Sequence, residues 1–177
     1  MEDLFFNGDY TPNEDSISFI RFLDTETPQV LTIHKVDHSS TVRVFDYHQT
    51  NKNWQVVFED TVHHDVDGID NLQIFGSAPL IEKSKKEQAI IGLQSESSAS
   101  LRFYILGTRG NEFKKFVDHM NTPLNESSIR ISGTEAILSS ENKISQRFKL
   151  NKDGDVEFRF GSYAFDFPTT QTTRPNM

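Results

Sequence analysis

The chain of 177 residues carries 26 acidic and 18 basic side chains, has a formal net charge of −8 and contains no cysteine. This acidic balance argues against a nucleic-acid partner, which requires a basic face. The absence of cysteine excludes disulfides, thiol catalysis and cysteine-ligated metals. The length suits a single domain, and no apolar run approaches the roughly 18 residues of a transmembrane segment.

Short apolar segments rich in β-branched and aromatic residues recur along the whole chain, separated by polar turns. This rhythm is typical of strands. In chain order, we predict strands at residues 18–22, 30–34, 41–47, 54–58, 72–75, 88–93, 100–106, 112–116, 128–131, 135–138, 144–150, 156–160 and 163–167. Asp153-Gly154 predicts a hairpin between two of them, because both residue types tolerate positive φ.

One segment has two interpretations. Phe113, Phe116, Val117 and Met120 follow the i, i+3, i+4, i+7 spacing of a helix, whereas the strand rhythm continues through residues 112–116. A helix of this length is marginal, so we favour the strand.

The first two groups of strands resemble each other. A shift of 59 residues places residues 29–57 on residues 88–116 without a gap, so that Gln29 meets Gln88 and Arg43 meets Arg102. Such self-similarity, with four strands per unit, is typical of propeller-like arrays. We therefore predict an all-β protein of repeated four-stranded antiparallel meanders, packed as a propeller-like array or as a β-sandwich.

The predicted organisation is a single all-β domain over residues 1–167. Its repeat-like units span about residues 15–60, 70–120 and 125–167. Residues 168–177 contain no apolar anchor and are expected to form a flexible tail.

Aromatic residues supply the predicted core. We expect five of them to be buried: Trp54, Phe103, Phe116, Phe148 and Phe158. A second set has either a core role, which we favour, or a role in a binding surface: Tyr47, Trp54, Tyr104 and Phe113.

Two short motifs carry a family resemblance. Phe75-Gly76 precedes a charged loop, and Ile90-Ile91-Gly92 lies in the strand that follows the loop. This arrangement resembles, in degenerate form, the FG-GAP or VCBS-type repeats of bacterial exported proteins and of integrin-like propellers, over residues 15–120. The resemblance implies a propeller-like fold, an exported or lipoprotein location, and acidic loops that bind calcium through Asp and Asn oxygens.

Two registers of the calcium loop are possible. In the first, His63, Asp65, Asp67 and Asn71 occupy the ligand positions. In the second, the loop is residues 82–87, whose three lysines would repel calcium. The internal repeat favours the second register, in which the family's calcium sites are lost and residues 65–68 form a turn. Asp65, Asp67 and Asn71 remain the candidate calcium ligands.

No nucleophile elbow, phosphate-binding glycine loop or zinc-protease motif is present in the sequence. We therefore expect a non-enzymatic binding or structural module without a cofactor. The resemblance implies an extracytoplasmic location, with membrane anchoring through a removed leader, and a protein or cell-envelope component as partner. Two alternatives stay open. One is a metal-dependent hydrolase around His63, His64 and Asp65. The other is a cytoplasmic or phage-derived structural protein that assembles through exposed strand edges.

Overall fold

The computed structural model describes residues 16–63, 71–95, 100–140 and 143–160, with only the backbone described at 143–145 and 158–160. These residues form thirteen strands and no helix, which confirms the predicted all-β class. The remaining predicted elements, the strand at 163–167 and the tail at 168–177, lie outside the described residues.

Consecutive strands pair antiparallel and form three meanders. Sheet 1 contains β1 (Ser16–Ile20), β2 (Gln29–Val36), β3 (Ser39–His48) and β4 (Asn53–His63). Sheet 2 contains β5 (Gln73–Ala78), β6 (Gln88–Gln94), β7 (Ser100–Arg109) and β8 (Glu112–Asp118), and the short β9 (Leu124–Asn125) also pairs with β7. Sheet 3 contains β10 (Ser127–Ser132), β11 (Glu135–Ser140), β12 (Lys143–Leu150) and β13 (Val156–Phe160). The repeated four-stranded meanders are confirmed, and the segment with helical spacing is strand β8.

Sheet 2 is the middle layer of a face-to-face stack. Successive side chains of a strand point to opposite faces, so β6 and β7 feed two separate cores. Ile91 and Tyr104 belong to the core shared with sheet 1, whereas Ile90 and Phe103 belong to the core shared with sheet 3. Antiparallel sheets commonly leave one face in water and alternate in polarity. Burial of both faces explains why residues 89–93 are apolar almost without interruption.

The aromatic core prediction is confirmed in part. Phe103 and Phe148 are fully buried. Trp54 and Phe116 are only half-buried, and the side chain of Phe158 lies outside the described residues. Trp54 was misplaced because the bulged residue Val57 reverses the alternation of β4: Trp54 lies on the same face as Val56, away from the core, and Phe58 is the β4 aromatic that packs against that core.

Two buried glutamines organise the first loops of sheets 1 and 2 in the same way. Gln29 and Gln88 are fully buried at the first positions of β2 and β6. Each amide oxygen accepts a hydrogen bond from a loop N–H, from Leu23 at 3.0 Å and from Ile81 at 2.9 Å. Each amide nitrogen donates to the carbonyl two residues earlier, at 3.2 and 3.0 Å. Buried amides require such partners, so the glutamines matched by the sequence shift share a structural role.

The edge strands β4 and β8 carry a bulge at matching positions. The extra residue is Val57 in β4 and Phe116 in β8, which the 59-residue shift superimposes. The ungapped alignment is wrong within β3 and β7. In the β7–β8 hairpin, two residues separate the last paired positions, Arg109 and Glu112. In the β3–β4 hairpin, four residues separate His48 and Asn53. Equivalent positions of β3 and β7 are therefore offset by two residues more than the shift of 59.

Bulged phenylalanines lie over strand glycines in sheet 2. Phe75 is the extra residue of β5, and its ring covers Gly92 of β6. A Cβ at Gly92 would lie 2.8 Å from that ring and closer still to the Arg102 carbonyl oxygen. Phe116 covers Gly107 of β7 in the same manner, at 2.6 Å. Glycine within a strand often marks such close approaches, and here it creates room for the aromatic ring.

The predicted hairpin joins β12 to β13 through residues 151–155. Gly154 has a φ of 85°, but Asp153 has no positive φ, so the turn is not the two-residue type that the sequence favoured. Asn151 instead closes the loop, because its Oδ1 accepts hydrogen bonds from the N–H groups of Asp153 and Asp155 at 2.8 and 3.0 Å. Asparagine stabilises turns by this kind of side-chain contact.

Hydrogen bonds from the segments after β1 and β5 link neighbouring sheets. The Arg21 N–H donates to Glu87 Oε2 at 2.8 Å, and the Glu87 N–H donates to the Arg21 carbonyl at 2.7 Å. At the other junction, the Leu150 N–H donates to the Leu80 carbonyl at 2.9 Å. These bonds satisfy backbone groups that the strand ladders leave over, so both junctions combine apolar packing with backbone contacts.

We predict that Gly92→Ala lowers the free energy of unfolding by roughly 3 kcal/mol, the upper end for an overpacked core, because the clash includes a backbone carbonyl that cannot rotate away. Gly110→Ala is the control. Its φ is 61° and nothing lies within 4 Å, so only a left-handed backbone cost of about 1 kcal/mol is expected. Urea unfolding of both variants measures the difference, and equal losses would contradict the close approach at Gly92.

Candidate functional site

The candidate calcium ligands are only partly described. Asn71 stands before β5, and its Oδ1 accepts a hydrogen bond from Lys35 Nζ at 2.6 Å. His63 is the exposed last residue of β4. Asp65 and Asp67, together with His64, lie outside the described residues. Among the residues that are described, no three His, Asp or Glu side chains come close enough to hold a metal ion. The calcium ligand set therefore stays a prediction.

Residues 82–87, the calcium loop of the second register, contact neighbouring parts of the protein through charged side chains. Lys86 Nζ donates to the Gly110 carbonyl at 2.6 Å and lies 3.5 Å from Asp24 Oδ2. Glu87 accepts the hydrogen bond from Arg21 described above. These charged groups connect the β5–β6 loop to sheet 1 and to the β7–β8 turn. Their role is therefore structural.

A polar cluster lies on the sheet 1 side of sheet 2. Lys115 Nζ is 2.8 Å from Asp60 Oδ2 and 4.6 Å from the centroid of the Tyr104 ring, within cation–π range. Tyr104 is fully buried, and its burial, followed by the charges of Asp60 and Asp118, raises the pKa of the phenol far above its usual 10.0. The phenol therefore stays protonated at physiological pH, so it is not suited to act as a general base.

His119 is a buried histidine just after β8. Its side chain is 2% exposed, and its ring lies 5.3 Å from the ring of Phe103. Burial lowers the pKa of His119, while a backbone hydrogen bond to Thr122 and the charge of Asp118 act in the opposite direction. The imidazole packs as a neutral ring at the rim of the second core.

A cleft opens between sheets 1 and 2 at the end that carries the β7–β8 turn. Its cavity volume is about 730 Å³, and its lining is Leu23, Asp24, Thr25, Asp46, Val57, Asn111, Glu112 and Phe113. Each of its three carboxylates already contacts a polar group: Asp24 lies 3.5 Å from Lys86, Glu112 lies 2.7 Å from Lys114, and Asp46 accepts from Gln29 at 2.8 Å. Each carboxylate of the cleft thus has a polar partner within the chain.

The outer face of sheet 1, turned away from sheet 2, carries an apolar row across all four strands. Its members alternate with the residues that build the first core, such as Leu31 and Val44. Register pairs place Phe19, Val30, Phe45 and Val56 side by side; these four residues are the apolar row. Phe19 is 59% exposed and Val56 49%, although Val30 is fully buried.

Further apolar and aromatic side chains flank the apolar row. Ile17 is 41% exposed in the neighbouring row, which ends in an ion pair between Arg43 and Glu59 at 2.5 Å. On the other side, the rings of Tyr47 and Trp54 meet edge to face at a centroid distance of 5.3 Å. The face is therefore apolar at its centre, aromatic at one end and charge-balanced at the other, a composition typical of protein interfaces.

Sheet 3 presents a different outer face. The residues that alternate with its core positions are mostly polar or charged: Ser128, Arg130, Glu135, Ser139, Arg147, Lys149 and Glu157. Arg147 lies 3.8 Å from Glu135, and Lys149 stands opposite Glu157 in register. This face suits contact with water, so the two ends of the stack differ in polarity.

The apolar row was not among the sequence-based predictions. Tyr47 and Trp54, two of the aromatic residues with a possible role in a binding surface, lie at the end of that face, whereas Tyr104 and Phe113 pack against the first core. The available signal was in β1, where Phe19 and Ile20 are both apolar although adjacent residues face opposite ways. An edge strand with apolar residues on both faces indicates that each face packs against another element.

We predict that acidification destabilises the protein partly through His119. Its folded-state pKa lies below the unfolded value of about 6.5, so the unfolded chain binds more protons and stability falls as the pH drops through that value. Denaturant unfolding at pH 7.5 and 5.5 measures the loss, which His119→Gln should reduce. His38→Gln, in an exposed turn, is the control and should retain the full loss. An unchanged loss in His119→Gln would contradict this assignment.

We predict that calcium leaves the melting temperature unchanged, because the Asn71 oxygen is already bound to a lysine ammonium group. A site with a dissociation constant of about 10 μM would instead stabilise the protein by about 2.7 kcal/mol at 1 mM calcium. Such a gain would raise the melting temperature by several degrees, at roughly 2–4 °C per kcal/mol. A rise of this size that is lost in Asp65→Ala or Asp67→Ala would restore the first register.

No family model matches the chain, and no match was found among curated proteins or among solved structures.

Proposed function

We propose that this protein is a non-enzymatic binding module that engages a protein partner through the outer face of sheet 1. One observation carries the proposal. Among the described residues, all five exposed large hydrophobic side chains lie in sheet 1. Ile17, Phe19, Val36 and Val56 lie on its outer face, and the fifth, Val57, lines the cleft. Single exposed apolar residues are common on protein surfaces, whereas a cluster of them marks an interaction site.

The shape and charge of this face favour a protein as partner. Small-molecule sites are concave, whereas the apolar row lies on the surface of a four-stranded sheet. Aromatic residues such as Tyr47 and Trp54 are enriched in protein interfaces. The net charge of −8 opposes binding to nucleic acid.

An extracytoplasmic location and a propeller-like relation between the sheets belong to the same proposal. Both rest on the resemblance to FG-GAP and VCBS-type repeats. The order of the stack supports the second, because meanders that follow each other in the chain also pack against each other, as propeller blades do. None of the described residues belongs to a helix long and apolar enough to cross a membrane.

We predict that a photo-reactive phenylalanine analogue at position 19 cross-links a protein in extracts of the source organism, because the 59% exposed ring would lie in the interface. The same analogue at Ser128, on the outer face of sheet 3, is the matched control and should capture nothing specific. Val56→Asp should abolish the cross-link from position 19, because it places a charge in the apolar row.

The proposal fails if positions 19 and 128 capture the same proteins, or if Val56→Asp leaves the cross-link intact. The near-neighbour variant Asn51→Asp, in the exposed β3–β4 turn, adds the same single negative charge to sheet 1 outside the apolar row and should not affect the cross-link.

A further inference from the structure

We infer that the partner of the sheet 1 face is a second copy of this chain, joined face to face about a two-fold axis so that two three-sheet stacks form one six-sheet stack. This inference rests on the proposed function, since it names the occupant of the same surface. Face-to-face packing of sheets already occurs twice within the chain. Both internal junctions place one apolar sheet face on another, and the apolar row offers a third such face.

The polarity of the two outer faces selects the symmetry. Head-to-tail stacking would place the apolar row on the outer face of sheet 3, where Arg130, Arg147 and Lys149 would lose water against apolar side chains. Such a heterologous contact also has no reason to close and produces open fibres. Among the described residues, the sheet face that matches the apolar row in polarity is the same face of another copy, which gives a closed isologous dimer.

Local charge does not oppose this approach. The chain carries a net charge of −8, but the row next to the apolar row contains one carboxylate, Glu59, already paired with Arg43 at 2.5 Å. Two copies would therefore bring no unbalanced acid together at the centre of the contact. The repulsion that remains is long-range and is screened by salt, so association should strengthen as ionic strength rises.

The size of the face is sufficient for a dimer. Four strands spaced at about 4.8 Å make the sheet about 19 Å wide, and strands of this length extend about 30 Å. The product is about 600 Å² per copy, at the lower end of the range for specific interfaces, about 600 to 1,000 Å² per partner. An interface of this size predicts a dimer that dissociates on dilution.

The first experiment measures the mass of the purified protein by sedimentation equilibrium from about 1 μM to about 100 μM, the range expected for a modest interface. The chain mass of 20.3 kDa should double with concentration. Phe19→Asp and Val56→Asp should each raise the dissociation constant at least tenfold. Ser128→Asp adds the same charge to the outer face of sheet 3 and should leave the constant unchanged. Unaltered circular dichroism spectra establish that the variants fold.

The second experiment uses the absence of native cysteine. A single cysteine at Phe45→Cys, in the apolar row, should yield a covalent dimer with a short bismaleimide, and Ser139→Cys on sheet 3 should not. A monomer over the whole concentration range would overturn the dimer, and cross-linking from position 19 to another protein would then still support the proposed function. A dimer unaffected by Phe19→Asp and Val56→Asp, or linked through Ser139→Cys, would also overturn the inference.

Discussion

Sheet 2 is packed on both of its faces, and this double burial fixes the positions of the other two sheets. Strands β6 and β7 send alternate side chains into two cores, so every residue from Ala89 to Ile91 and from Phe103 to Leu106 is fully buried. Removing either outer sheet would expose one complete face of these strands to water, at about 25 cal/mol per Å² of apolar surface. The three sheets therefore stabilise one another, although each is a simple meander in the chain.

A sheet covered on both faces has little space for bulged residues. Sheet 2 accommodates its two bulged phenylalanines in the same way. Phe75 and Phe116 are both bulged residues, and both rings occupy space left by glycines in neighbouring strands. Gln29 and Gln88 close the loops that enter β2 and β6 with buried hydrogen bonds. The similarity of sheets 1 and 2 thus extends from strand order to side chains that satisfy buried polar groups.

The outer faces of sheets 1 and 3, at the two ends of the stack, differ in the side chains that they expose. Sheet 3 turns charged side chains to the outside, as terminal units of stacked repeats do to remain soluble. Sheet 1 turns Phe19 and Val56 outward instead. Of the buried ionisable groups, Tyr104 is held protonated and His119 packs against Phe103. The two outer faces of the stack thus differ in polarity, with charged side chains on sheet 3 and apolar ones on sheet 1.

The strands and their grouping into four-stranded meanders were predictable from the sequence, because period-two alternation and polar turns are local features. The sequence also matched Gln29 with Gln88, since both begin the second strand of their sheets. It did not reveal the bulge at Val57, and so it placed Trp54 in the core. It did not determine which face of each strand is covered, and so it overlooked Phe19. Alternation separates two faces without stating which of them meets another sheet. Only the stacking of the sheets decided that, because burial of a side chain depends on elements distant in the chain.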